Sequence, residues 1–169
     1  MLDKILSAIG RFSYRFRYLI ASLFLVLLVC VDGQWSDLTR VYFMGGITDK
    51  QKCAYNQVLS AIKAGEKLLR AGTHASDIYH EMRKAIGTEY AFSHHGGHRI
   101  GCDEIVVNPR FVPESDEILE AGMIVTLEPA VYFEDSFGIR LENNYLIKDT
   151  GFERLCSLSD SVDEYIQKG

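Results

Sequence analysis

An apolar run from Tyr18 to Val31 passes directly into Asp32-Gly33 and then into a second strand-forming stretch, Trp35–Phe43. Asp-Gly between two such runs is the strongest short-range hairpin signal, because a tight turn that matches strand twist needs positive φ at both central residues. The expected elements are a strand over Phe24–Val31, a turn at Asp32-Gly33-Gln34 and a strand over Trp35–Phe43, closed by Gly45-Gly46. Arginines ahead of the run (Arg11, Arg15, Arg17) imitate the charged start of a signal peptide, with residues 18–31 as its apolar stretch. That stretch is shorter than the about 20 residues a spanning helix needs. It also ends in Leu27-Leu28-Val29-Cys30, without the small residue a cleavage site wants. A buried hairpin in a cytoplasmic protein is therefore expected. Membrane association or export through residues 18–31 is the alternative.

Beyond the hairpin the hydrophobic period changes. Thr48 and Gln51 form a capping-box pattern, and Ala54, Val58, Ile62 and Leu69 recur at helical spacing until Gly72. Ile78, Met82 and Ile86 mark a second helix ending at Gly87. Phe92–Gly101 reads as loop or strand edge, and Asp116–Ala121 as a short helical turn. Met123–Phe133 and Gly138–Ile147 read as two strands separated by Glu134-Asp135-Ser136. Strands and helices do not alternate regularly, which favours an α+β arrangement over a doubly wound sheet. The 169 residues fit one domain, assigned to 22–169 behind a dissimilar segment 1–21. A net charge of −5 leaves no basic face for phosphates, which excludes a nucleic-acid partner. The four cysteines are widely spaced and read as free thiols.

Four residues in this frame have metal-ligand chemistry: Asp37, His98, Glu128 and Glu142. Three carboxylates and an imidazole suit a hard or borderline divalent ion such as Mn²⁺, Co²⁺, Zn²⁺ or Fe²⁺. Strand parity puts Glu128 on one face with Ile124 and Thr126, so its carboxylate is costly there unless paired or metal-bound. Arg140, Glu142 and Asn144 share a face of the last strand. Taken singly, each acid is equally well a solvated strand end, and His98 an ordinary loop histidine.

Taken together, the four contexts resemble the pita-bread metallopeptidases, the family of prolidase, aminopeptidase P, creatinase and methionine aminopeptidase. Val31-Asp32-Gly33-Gln34-Trp35-Ser36-Asp37-Leu38-Thr39-Arg40 is similar to its metal-binding hairpin. Phe92-Ser93-His94-His95-Gly96-Gly97-His98-Arg99-Ile100-Gly101 is similar to its histidine segment. Gly122–Pro129 and Gly138–Asn143 are similar to its two glutamate segments, and Arg140 leans toward the proline-cleaving branch. The resemblance implies a curved antiparallel sheet with helices on its outer face, here incomplete at the N-terminus. It implies metal-dependent hydrolysis of short peptides, with Asp37 and Glu142 bridging two ions, His98 and Glu128 completing one position, and His94 and Arg140 as catalytic groups near the substrate.

The chain departs from the pattern at three points. The family's first aspartate lies eleven residues before the second, and Val26 stands there, with Leu28 where a small residue is usual. Ile105 replaces a histidine the family often carries seven residues after its ligand histidine. The chain is also short, so exposed apolar surface and a homodimer are expected. These departures imply one retained ion rather than two. The alternative function is a catalytically inactive metal- or peptide-binding member.

Overall fold

The computed structural model describes residues 23–102 and 104–167. The proposed segment 1–21 lies outside the described residues, as do residues 18–22 of the apolar run. The hairpin forms as expected: β1 (Leu23–Val31) and β2 (Gln34–Met44) pair antiparallel around Asp32 and Gly33, whose φ angles are 51° and 78°. The register sets Leu28 opposite Asp37 and Val26 opposite Thr39. No helix among the described residues is long and apolar enough to cross a membrane.

Helix α1 (Asp49–Glu66) starts at a complete capping box: the Thr48 hydroxyl accepts from the Gln51 amide, and the Gln51 side chain accepts from the Thr48 amide. It buries Ala54, Tyr55, Val58, Ala61 and Ile62 along one stripe. The helix stops short of the expected Gly72, although Leu69 beyond it is buried. Helix α2 (Ala75–Ile86) ends at Gly87, which takes φ 64° and returns its amide to the Arg83 carbonyl. The two helices approach closely at Gly65, where an added Cβ would lie 3.0 Å from Met82 and 3.1 Å from Leu127.

The remaining strands are β3 (His98–Arg99), β4 (Val107–Arg110), β5 (Ile124–Leu127), β6 (Ala130–Phe133), β7 (Phe137–Arg140), β8 (Asn143–Lys148), β9 (Gly151–Arg154) and β10 (Ile166–Gln167). They form a five-stranded sheet β4-β3-β5-β8-β9, a ribbon β6-β7, and the ladder β1-β2-β10. Val41, Phe43, Tyr55, Met82, Leu127, Val131, Ile139 and Tyr145 belong to one core joining helices to strands.

Three further local expectations differ from the structure. Asp116–Ala121 is not helical but irregular, with one isolated β-bridge from Ile118 to His74. The Leu119 amide donates to the Thr73 carbonyl and its carbonyl accepts from Gly72, both at 2.9 Å, so its backbone groups are used across the chain rather than along it. Each of the two long strands is broken in the middle. Pro129 has no N–H to continue the β5 ladder, and the Glu128 amide turns to the Gly96 carbonyl at 2.8 Å. At the second break, β7 pairs with β6 through Arg140, the Glu142 amide donates to the Thr39 carbonyl at 3.1 Å, and β8 then pairs with β5. Strand parity fails across that switch: Leu141 to Tyr145 are all buried. The short strands β9 and β10 carry no clear sequence signal, and both add edges to sheets already formed.

Candidate metal centre

The two glutamates sit at the two strand breaks, where the backbone changes partner. Asp37 reaches the same region from β2 and His98 from β3, and all four side chains are buried. The His98 Nδ1 lies 3.0 Å from the Arg99 carbonyl oxygen. A carbonyl only accepts, so Nδ1 carries the proton and the lone pair sits on Nε2. That Nε2 is 3.5 Å from Asp37 Oδ2 and 3.7 Å from Glu128 Oε1. One donor atom each from Asp37, His98 and Glu142 lies within 4.8 Å of the other two.

The donor set fits a divalent cation. Glu142 Oε1 is buried without a hydrogen-bond partner, and Glu128 Oε1 has only an unaligned approach of His95 Nδ1 at 2.9 Å, a costly state for carboxylates away from water. Burial pushes the Glu142 carboxyl up to about 8, and the charges of Glu128 and Asp37 push the same way. The Thr39 hydroxyl, donating to Glu142 Oε2 at 2.6 Å, and Arg140 oppose that shift. Burial alone would lower the His98 imidazole. Its contact with Asp37, the Arg99 carbonyl and the nearby carboxylates outweigh burial and hold it above the ordinary value. The metal-free Glu142 carboxyl thus keeps, around neutral pH, a proton that a cation would displace.

Arg140 Nη1 is 3.9 Å from Glu128, and Nη2 donates to the Thr39 hydroxyl at 3.2 Å. His94 packs on Phe92, with Nδ1 2.6 Å from the His95 carbonyl and Nε2 3.0 Å from the Tyr132 hydroxyl. Burial holds the His94 imidazole below its ordinary value. The structure therefore brings Asp37, His98, Glu128 and Glu142 together with Arg140 at their side, and sets His94 beside His95.

Three contributors escape the sequence reading. Thr39 could have been found: it lies two residues after Asp37 on β2, hence on the same strand face. His95 was visible as a third histidine but had no pattern of its own. Arg40 gives no signal. Its buried guanidinium donates to the Glu142 carbonyl and Asn143 Oδ1, both at 2.6 Å, and to the Tyr165 hydroxyl at 3.3 Å. It ties β2 to the segment that carries Glu142.

The profile of metallopeptidase family M24 matches residues 21–149. An uncharacterized peptidase of Methanocaldococcus jannaschii is 36% identical over 138 residues, 79% of this chain and 39% of that protein. The Xaa-Pro dipeptidase of Pyrococcus furiosus is 34% identical over 123 residues, 71% of this chain and 35% of that protein. Among solved structures, X-Pro aminopeptidase from Thermotoga maritima superposes with a TM-score of 0.80 at 27% identity, covering 86% of this chain and 42% of that one. Prolidase from Pyrococcus furiosus gives 0.77 at 30% identity, covering 82% and 42%. The chain spans well under half the length of these relatives.

Proposed function

The chain belongs to metallopeptidase family M24 and has its pita-bread fold, and from that premise we propose that it hydrolyses short peptides with proline after the scissile bond. A divalent ion, Mn²⁺, Co²⁺ or Zn²⁺, is held by Asp37, His98, Glu128 and Glu142. The observation that carries this reading is the pair of buried, unpartnered oxygens, Glu128 Oε1 and Glu142 Oε1, beside the Nε2 lone pair of His98. The names of the Pyrococcus dipeptidase and the Thermotoga aminopeptidase support the proline preference.

An ion bound there supplies Lewis acidity toward a peptide carbonyl and acidifies water. The chain's own groups supply the rest. Arg40 and Thr39 hold Glu142 from its backbone and its carboxylate. The Arg99 carbonyl fixes the His98 tautomer, so that its free nitrogen faces the carboxylates. Arg140 sets a fixed positive charge next to Glu128 on the substrate side, and the half-buried His94 lines the approach with Tyr132.

The test is Mn²⁺- or Co²⁺-dependent hydrolysis of Xaa-Pro dipeptides and Xaa-Pro-Xaa peptides, with His98→Ala as the control. Metal-dependent turnover abolished in that variant supports the proposal. A second reading, a metal- or peptide-binding protein without turnover, is favoured by one observation: valine occupies position 26, the register partner of Thr39. Metal uptake without hydrolysis would favour that reading, and no metal uptake would sink both.

A further inference from the structure

We propose that His94, His95 and Glu128 form a second cation site that shares Glu128 with the first. His95 Nδ1 and Glu128 Oε1 lie 2.9 Å apart, yet they are not aligned as a hydrogen bond. Both atoms are buried and without a partner, and the Glu128 residue is only 5% exposed. Two unsatisfied polar atoms facing each other at this separation are what an ion between them would explain. Ligand atoms about 2.1 Å from one ion lie roughly 3.0 Å apart at a right angle and roughly 3.4 Å apart at the tetrahedral angle, so the pair needs little adjustment to share one.

His94 completes the set. Its Nδ1 faces the His95 carbonyl and so carries the proton, which leaves the lone pair on Nε2. That nitrogen now meets the hydroxyl of Tyr132, an exposed side chain that a cation would have to displace. One donor atom from each of the three residues falls within 4.8 Å of the others. Two imidazoles and a carboxylate favour Zn²⁺, Co²⁺ or Ni²⁺ over Mg²⁺ or Ca²⁺, with positions left for water or substrate. Glu128 Oε1 also lies 3.7 Å from His98 Nε2, so its carboxylate is placed to join the two sites. In this arrangement His94 is a ligand rather than a direct substrate contact, and the single ion expected from Val26 becomes two. The inference rests on the metal centre proposed above.

The experiment titrates the chelator-stripped full chain with Co²⁺, following visible absorption and bound metal. Two equivalents are expected for the wild type, and one for His94→Ala and for His95→Ala. A wild type saturating at one equivalent, with that equivalent lost in His98→Ala, overturns the second site alone. No uptake overturns the first site as well. Two equivalents retained in both histidine variants overturns the assignment of these residues. A measurement free of variants accompanies it: diethyl pyrocarbonate labelling of the native sequence read by mass spectrometry. The second equivalent of Co²⁺ should shield His94 and His95, and labelling that ignores it contradicts the proposal.

Discussion

Replacing Thr39 with valine removes one hydroxyl at nearly constant volume and isolates how the centre controls its protons. The hydroxyl donates to Glu142 Oε2 at 2.6 Å and accepts from Arg140 at 3.2 Å. A hydrogen bond to an ionised carboxylate contributes about 1.5–3 kcal/mol, and one between neutral groups about 0.5–1.5 kcal/mol. Only the difference, about 1.4 kcal/mol, favours the ionised form, and it corresponds to about a tenfold change in proton affinity. Cation binding needs Glu142 deprotonated, and its carboxyl already sits up to about 8. At about pH 6.5 the variant should therefore bind Mn²⁺ about tenfold more weakly, whereas at about pH 9 the deficit should shrink to about twofold. Calorimetric or chelator-competition titrations at the two pH values measure this, and Thr39→Ser should restore affinity at both. An equal deficit at both pH values, or none at about pH 6.5, would refute the reasoning. The hydroxyl would then shape the pocket or be irrelevant to it.

The metal-free protein should lose stability with rising pH. The Glu142 carboxyl is raised above its unfolded value of 4.5, so its contribution is fully present below that pH and disappears as pH climbs through about 8. His98, also raised, acts in the same direction above its ordinary range. Chemical denaturation across pH should show a fall of a few kcal/mol, on the order of 1.4 kcal/mol for each tenfold change in proton affinity, and bound Mn²⁺ should flatten it. Gly97→Ala should be severe, because its Cβ would meet the Thr126 carbonyl oxygen and come 2.8 Å from Phe111. A cost of about 3 kcal/mol or more, with melting lowered by roughly 10 °C, is expected by calorimetry, and an unchanged melting temperature would contradict the close packing of β3 on β5. In a His95→Ala background, Val26→Asp places a carboxylate at the register position opposite Thr39 and should raise bound Co²⁺ from one equivalent toward two. An unchanged count would count against the role assigned to position 26.

Local rules carried the parts of the fold that local chemistry decides. Asp32-Gly33 set the hairpin and its register, which placed Asp37, and Thr48 with Gln51 marked the start of α1. The four candidate ligands were legible because each lies in a short recognisable context. Its neighbours were not. Arg40 matters through acceptors more than a hundred residues away in the chain, and no periodicity in β2 announces them. The strand breaks were hidden for a related reason. Met123–Phe133 and Gly138–Ile147 look continuous by composition, and the interruption comes from a change of pairing partner that only the assembled sheets define. Pro129 was the one visible clue. His95 sat beside two assigned histidines, and only the direction of its ring toward Glu128 distinguishes it.

Because Glu128 and Glu142 stand where the chain crosses between ladders, neither carboxylate has a defined position until those ladders coexist. The hairpin, the five-stranded sheet and the β6-β7 ribbon must all be docked before the four donors converge. Cation affinity is thus a late property of the folding reaction. A tight-binding ion captured during refolding would time the last docking event, and an intermediate lacking any one of the three would stay blind to it.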